Sequence, residues 1–527
     1  MDARCADAML YNGRIVTFDG GKKTVRAVAV ADGRIIALGT NDEMRKSAPR
    51  GCDKLDLGGK TVVPGFIDAH THFVQMGVDS LNVDLSSAKS LDHALSLMKH
   101  GAATTPNGEW VIGTNYRDSS WEHSRFITRK DLDDCCPDHP AVAHRICGHL
   151  SSVNTKGIDE ACITEDTPGV ELSPSGQLTG IVTEAAVAKL RAATAPDEAK
   201  EHKGLRFAVR RAHSLGVTSV QDNGEMDHFR LYREAEKKGK LGVRVWFNTP
   251  SENLDTLRRI GSPTGLGSEW LKLGGVKIFC DGALGARTAA LSEPFADDPG
   301  NKGMLVHPVK AMEHMAWSAE EEGIQLVIHA IGDEGIEVAI KSVERALSRT
   351  RRKDHRHRIE HLELPNPDHL RRMRKHGMIA SMQPNFVGEW SGIDGMYSDR
   401  LGAERACRCN PFKDVLDAKV RLVFGSDCMP FSPLYGIASA VNATFPCQQL
   451  SAERAFASYT KEAAYASFEE KLKGTVSVGK VADLAVLSDD PFRDPGALVS
   501  TSVIKTIVGG RVVFDRSKRR GARSVGR

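Results

Sequence analysis

Eight short apolar runs, most ending on polar residues and alternating with amphipathic or inserted stretches, restrict this chain's fold more than any other feature. They are VVPGFIDAH (62–70), GVTSVQD (216–222), LGVRVWFN (241–248), LKLGGVKIF (271–279), GIQLVIHA (323–330), HRIEH (357–361), GMIASMQP (377–384) and VRLVFGSD (420–427). Between them, segments such as HKGLRFAVRRAHSLG and GIEVAIKSVERALSRT space their apolar residues as a helix does, which a crossover between parallel strands requires. Strands alternating with helices build a parallel sheet, and eight of them close a (β/α)8, TIM-like barrel. The expected class is therefore α/β, with the barrel over 62–470.

One connection is too long. About 145 residues separate the first and second runs, where a βα unit needs only about 30 or a little more. An inserted cap module is expected over 85–200, containing WVIGTNYRDSSWEH and AHRICGHLSSVNTKG. Insertions after a barrel strand lie over the active-site mouth. The two ends of the chain, 1–61 and 471–527, carry short alternating runs with Asn-Gly, Asp-Gly and Gly-Gly turns, as hairpins do. They are expected to pair as a small β-sandwich.

Barrel enzymes carry their chemistry at the C-terminal ends of the strands. Here those ends bear His70 and His72, Lys277, His329, His361 and Asp427. Side chains alternate along a strand, so Phe66, Asp68, His70 and His72 share one side and Ile67 and Ala69 the other. The same rule turns Lys277 inward between Val276 and Ile278, and His329 inward beside Ile328. A His-x-His pair alone also fits satisfied core or surface histidines. Six such groups at one rim fit a metal site far better. A protonated lysine among metal ligands would be desolvated and repelled. Either Lys277 snorkels to water or its amine is neutral or chemically changed; with CO2 it gives a carbamate able to bridge two cations about 3.5 to 4 Å apart.

Charge excludes a nucleic-acid binder built on bulk attraction, since 71 basic and 68 acidic residues leave a net charge of +3. The local basic stretch at 349–358 reads as a solvated helix end and loop, and the tail from Asp515 as a frayed terminus. Eleven cysteines without framework spacing read as reduced thiols. No apolar run approaches about 18 residues and the N-terminus lacks a signal-like apolar region, so a soluble cytoplasmic protein without membrane association is expected. A homodimer is left open.

The stretches PGFIDAHTH, VKIFCDGALGARTA, VIHAIGD, HRIEH, SMQPNF, FGSDCMP and GTVSVGKVADLAVLSDDP, in this order, resemble the amidohydrolase superfamily over nearly the whole chain. Within it, the resemblance is to the YtcJ-like, amidohydrolase-3 branch, which includes N-substituted formamide deformylases. It implies His70 and His72 on one metal, His329 and His361 on a second, Lys277 as a bridging carbamate, and Asp427 as ligand of the first metal and catalytic base. Imidazole and carboxylate ligands suit zinc, two ions per chain. The implied activity is hydrolysis of an amide (N-acyl or N-formyl) or related carbon-nitrogen bond, other than a peptide bond, by a metal-bridged hydroxide. Substrate contacts are expected from Asp281 and Arg287 after the fourth strand, and from His149 and Asn154 in the insertion. His144, His213 and His355 read as surface or helix residues, and His357 as lying deeper than the site. Two other readings stand beside this one: a mononuclear deaminase-type hydrolase with an unmodified Lys277, and a catalytically silent barrel used for binding or regulation. The second should have lost ligands, and all six are present.

Overall fold

A computed structural model of the protein describes residues 7–47, 51–118, 121, 122, 125–145, 150–261 and 264–521. The chain divides into two compact units, residues 1–73 with 209–527, and residues 74–208.

The first unit holds the barrel. Its strands are β1 (Phe66–Thr71), β2 (Val217–Asn223), β3 (Arg244–Pro250), β4 (Leu271–Phe279), β5 (Gln325–Ala330), β6 (Arg358–His361), β7 (Ile379–Met382) and β8 (Arg421–Phe424). Each pairs in parallel with the next, giving one eight-stranded sheet in sequence order. Every residue of β2 is buried, because a barrel strand faces the interior on one side and helices on the other. The helix Asp333–Thr350 shows the covering layer: Ile336, Ala339, Ile340, Val343 and Leu347 recur at helical spacing and are all buried. At the seam between β8 and β1, Asp427 N donates to His70 O at 2.8 Å and Ser426 N to Asp68 Oδ1 at 2.8 Å. Gly425 is required at this seam, since a Cβ there would stand 2.3 Å from His70 N.

The run expected as one first strand is two. Thr61–Pro64 pairs with Leu484–Leu487 and Arg14–Val16 outside the barrel, and only Phe66–Thr71 joins β2. Gly65 makes the break, where a Cβ would fall 2.3 Å from Thr218 Oγ1.

Both termini build a small β-sandwich in this unit. One sheet is ordered Arg34–Gly39, Ala27–Ala31, Ala8–Tyr11, Asp53–Asp56, and the other Arg511–Asp515, Val503–Val508, Leu484–Leu487, Thr61–Pro64, Arg14–Val16, Thr24–Val25. Leu10, Val28 and Val30 of the first sheet share one buried cluster with Ile15, Val62, Val486 and Ile507 of the second. Asp32-Gly33 and Gly509-Gly510 are hairpin turns. Asn12-Gly13 is not: Ala8–Tyr11 and Arg14–Val16 belong to different sheets, and the left-handed Asn12 (φ 57°) carries the chain from one to the other.

Residues 74–208 form their own six-stranded mixed sheet, ordered Val170–Leu172, Leu178–Thr183, Leu150–Val153, Ala141–Arg145, Val111–Tyr116, Val83–Asp84. These strands are hard to see in the sequence because several bury polar residues, as Leu150–Val153 buries Ser151 and Ser152.

The basic stretch 349–358 is not simply solvated. Arg356 lies over Tyr465 and Phe468 and pairs with Asp354 and Glu470, Arg358 is fully buried inside the barrel, and His355 is buried with Nε2 on His376 O. Residues 516–521 of the tail form a short helix. Among the described residues no helix is long and apolar enough to cross a membrane.

Candidate metal centre

The ends of the barrel strands bring the six residues together. On β1, Ile67 and Ala69 pack outward against Ala463, Ala464 and Ala466, while Asp68 and His70 are buried. His72 follows the strand and is 42% exposed. Asp222, at the end of β2, holds the backbone and side chain on either side of His72: Thr71 Oγ1 and Phe73 N donate to its Oδ1, at 3.2 and 2.5 Å, and Tyr232 Oη to its Oδ2 at 2.7 Å. Lys277 lies buried on β4 between the outward Val276 and Ile278, and His329 is buried on β5.

His361 arrives by a different route from simple alternation. Arg358 and Glu360 take the barrel interior, so His361 is on the opposite parity, and left-handed backbone at His361 (φ 70°) and Leu362 (φ 49°) re-aims it. Asp427 and Cys428, three and four residues past β8, are left-handed too, at φ 51° and 60°. Four non-glycine residues in this region, each costing of order 1 kcal/mol, mark a rim whose side chains are placed at the expense of backbone comfort.

Asp427 Oδ1 lies 3.4 Å from His72 Nε2 and 3.6 Å from His70 Nε2. Lys277 Nζ is 3.3 Å from His70 Nε2. The His70 and His361 rings are 4.9 Å apart between centroids, and those of His361 and His329 4.4 Å. Three imidazoles each spend one nitrogen on the protein. His70 Nδ1 donates to Glu360 Oε2 at 2.5 Å, His361 Nδ1 to Gln383 Oε1 at 2.7 Å, and His329 Nε2 to Gly282 O at 3.0 Å. The other nitrogen of each keeps its lone pair.

Burial sets the charges. It holds His70 and His361 well below the ordinary imidazole value and His329 at about 3, with Lys277 adding repulsion, so the rings are neutral as ligands must be. Burial also lowers Lys277 to about 8, against the pull of Glu360 and Asp427, and raises Asp427. Asp427 Oδ1 is buried without a hydrogen-bond partner although two imidazole nitrogens face it. Asp427 Oδ1 and the His70 Nε2 lone pair, aimed at one point, repel one another unless a cation lies between them, and His72 Nε2 faces the same oxygen, so the donor set fits a divalent metal.

The expected substrate contacts fare differently. Asp281 is fully engaged: Oδ1 accepts from Ile331 N, and Oδ2 from Ala290 N and Gly332 N, so it organises the loop after β4. Burial still raises its carboxyl to about 6 against those three donors. Arg287 forms a two-point pair with Asp297, which Arg400 also binds, tying the loop after β4 to the segment after β7. Asn154, in the second unit, accepts from Ala141 N and Gly157 N and donates to Cys136 O and His139 O, which saturates its amide. These three therefore have structural work that accounts for them. His149 lies outside the described residues. His357 is fully buried against Glu320, away from the six. His213 donates to Gly242 O, and His144 pairs with Ser151 on a strand of the second unit rather than on a helix or open surface.

Glu360, Gln383, Asp222 and Arg358 are the residues missed in the sequence. Position signals two of them: Asp222 is next to last in β2 and Gln383 directly follows β7, both at the C-terminal ends of barrel strands.

A family model described as the amidohydrolase family matches residues 53–514. YtcJ of Bacillus subtilis is 29% identical over 543 residues, covering 97% of this chain and 100% of that protein. The N-substituted formamide deformylase of Arthrobacter pascens is 29% identical over 545 residues, covering 97% and 99%. Among solved structures, an uncharacterized metal-dependent hydrolase from Pyrococcus furiosus superposes with a TM-score of 0.79 at 30% identity, covering 92% of this chain and 99% of that one.

Proposed function

We propose, from the premise that this chain belongs to the amidohydrolase family, that it cleaves a non-peptide amide, an N-acyl or N-formyl amine, into a carboxylic acid and an amine. The observation that carries this reading is the buried, unpartnered Asp427 Oδ1 facing His70 Nε2 and His72 Nε2. His70, His72 and Asp427 would hold one divalent cation and His329 and His361 a second, and zinc suits the set. When bound, such cations polarise the substrate carbonyl and bring the ionisation of water close to neutral pH. Lys277, its neutral amine adding to CO2 with release of a proton, would supply a carbamate between the two sets. The Asp427 carboxylate accepts the proton of the attacking water and returns it to the leaving nitrogen, so that R-CO-NH-R′ and water become R-COOH and R′-NH2.

The partner is thus a small molecule. The nine described cysteines are free, which supports a reducing, cytoplasmic setting. The formamide deformylase relative guides the choice of substrates without fixing this chain's own. One observation favours a mononuclear variant of the reading: among the proposed His and Asp ligands, His70, His72 and Asp427 form a group of three with ligand atoms all within 4.8 Å of one another, and His329 and His361 do not join it. The test is to strip the protein with chelator, restore zinc in bicarbonate, and follow amine release from a panel of N-formyl and N-acyl amines. Hydrolysis is expected only in the restored protein; hydrolysis undiminished by complete metal removal would contradict the reading.

A further inference from the structure

The geometry points to Glu360, clamped by Arg358, as the positioning residue that fixes the tautomer and ring plane of His70; this rests on the proposed role of His70 as a metal ligand. Glu360 Oε2 lies 2.5 Å from His70 Nδ1. An ionised carboxylate only accepts, so the hydrogen sits on Nδ1 and the Nε2 lone pair faces Asp427 and Lys277.

Arg358 keeps that carboxylate ionised and still. Its Nε reaches Glu360 Oε1 at 2.7 Å and its Nη2 reaches Oε2 at 3.0 Å, the two-point geometry that fixes a plane as well as a charge. Nη1 donates to Gln221 Oε1, and Nη2 also to Ala69 O at 2.6 Å and Ser381 Oγ at 3.2 Å. One guanidinium therefore ties β1, β2, β6 and β7 to the carboxylate that holds His70. Both charged residues have no exposed surface. A buried ion pair of this kind is weak evidence for stability, because well-packed apolar residues often replace it at no loss. An orienting role toward His70 gives the pair a reason to occupy the barrel interior. The neighbouring imidazoles lack this arrangement: His361 leans on the neutral amide of Gln383 and His329 on a backbone carbonyl.

Two measurements test it. In the apoprotein labelled with 15N-histidine, the His70 ring is expected to be the Nδ1-H tautomer; a dominant Nε2-H form would overturn the inference whatever the variants do. Glu360→Gln and the double variant Arg358→Met/Glu360→Gln, the latter leaving no unpaired buried charge, are then titrated with zinc against a chelator. Outer carboxylates of this kind typically govern metal affinity by about 10- to 100-fold. A loss of that size at the His70 site, with mixed His70 tautomers and a cooperative thermal transition retained, is the expected result. Wild-type affinity and an unchanged tautomer in a folded variant would overturn the inference while leaving the metal centre standing. Failure of the wild-type protein to bind zinc would instead remove the proposed function, and the apoprotein tautomer would still decide the hydrogen bond.

Discussion

Replacing Asp427 by Asn is expected to lower turnover by about 10²- to 10⁴-fold, the range general acid-base groups contribute, while the barrel remains folded. Asn has the same shape and still presents an oxygen toward His70 and His72. It cannot take a proton from water. The backbone at this position is already left-handed (φ 51°), a conformation that Asn tolerates as well as Asp, so the substitution adds no strain. Its main-chain N-H, which donates to His70 O across the seam, is untouched. Turnover, zinc content and thermal midpoint measured on one preparation separate the two roles. Near wild-type turnover would remove Asp427 from the mechanism, and loss of metal in step with activity would reduce it to a ligand.

Replacing Lys277 by Ala is expected to abolish turnover and to weaken or empty the proposed His329 and His361 site, because the proposed bridge between the two sets is removed. The side chain is buried on β4, with Nζ 3.3 Å from His70 Nε2 and 5.0 Å from the centroid of the Phe279 ring. No surface snorkelling is available to it. Burial brings the amine to about 8, which leaves a useful neutral fraction for reaction with CO2. A small carboxylic acid added to the Ala variant is expected to restore part of the activity by occupying the vacated space. A variant that keeps full activity and both metals would show that Lys277 bridges nothing.

The sequence reveals the barrel because its evidence is local and repeated: most apolar runs end on polar residues and alternate with helix-spaced segments, and the eight strands form where those runs lie, the first of them only over Phe66–Thr71. Lys277 and His329 are legible by alternation alone. His361 is not, since Arg358 and Glu360 occupy the interior side of β6 and the histidine reaches the rim only through two left-handed residues. Such a reversal is decided by what fills the barrel, which no local pattern records. For the same reason Arg358 looks like one more charge in a solvated basic run, and only the opposing Glu360, Gln221 and Ser381, each on another part of the chain or strand, show why it is buried. Asn12-Gly13 has the residues of a hairpin turn and serves as a crossing between sheets, because the partners of the flanking strands lie far away in sequence. Asp281 and Arg287 follow β4 as substrate contacts would, yet their partners are backbone N-H groups and Asp297.

The central claim is that His70, His72, Lys277, His329, His361 and Asp427 form a metal centre. Elemental analysis of the purified protein, before and after reconstitution with zinc in bicarbonate, tests it most directly. The expected result is stoichiometric divalent metal, up to about two ions per chain as a two-metal site would hold. Absence of stoichiometric metal in both preparations of the folded protein would contradict it.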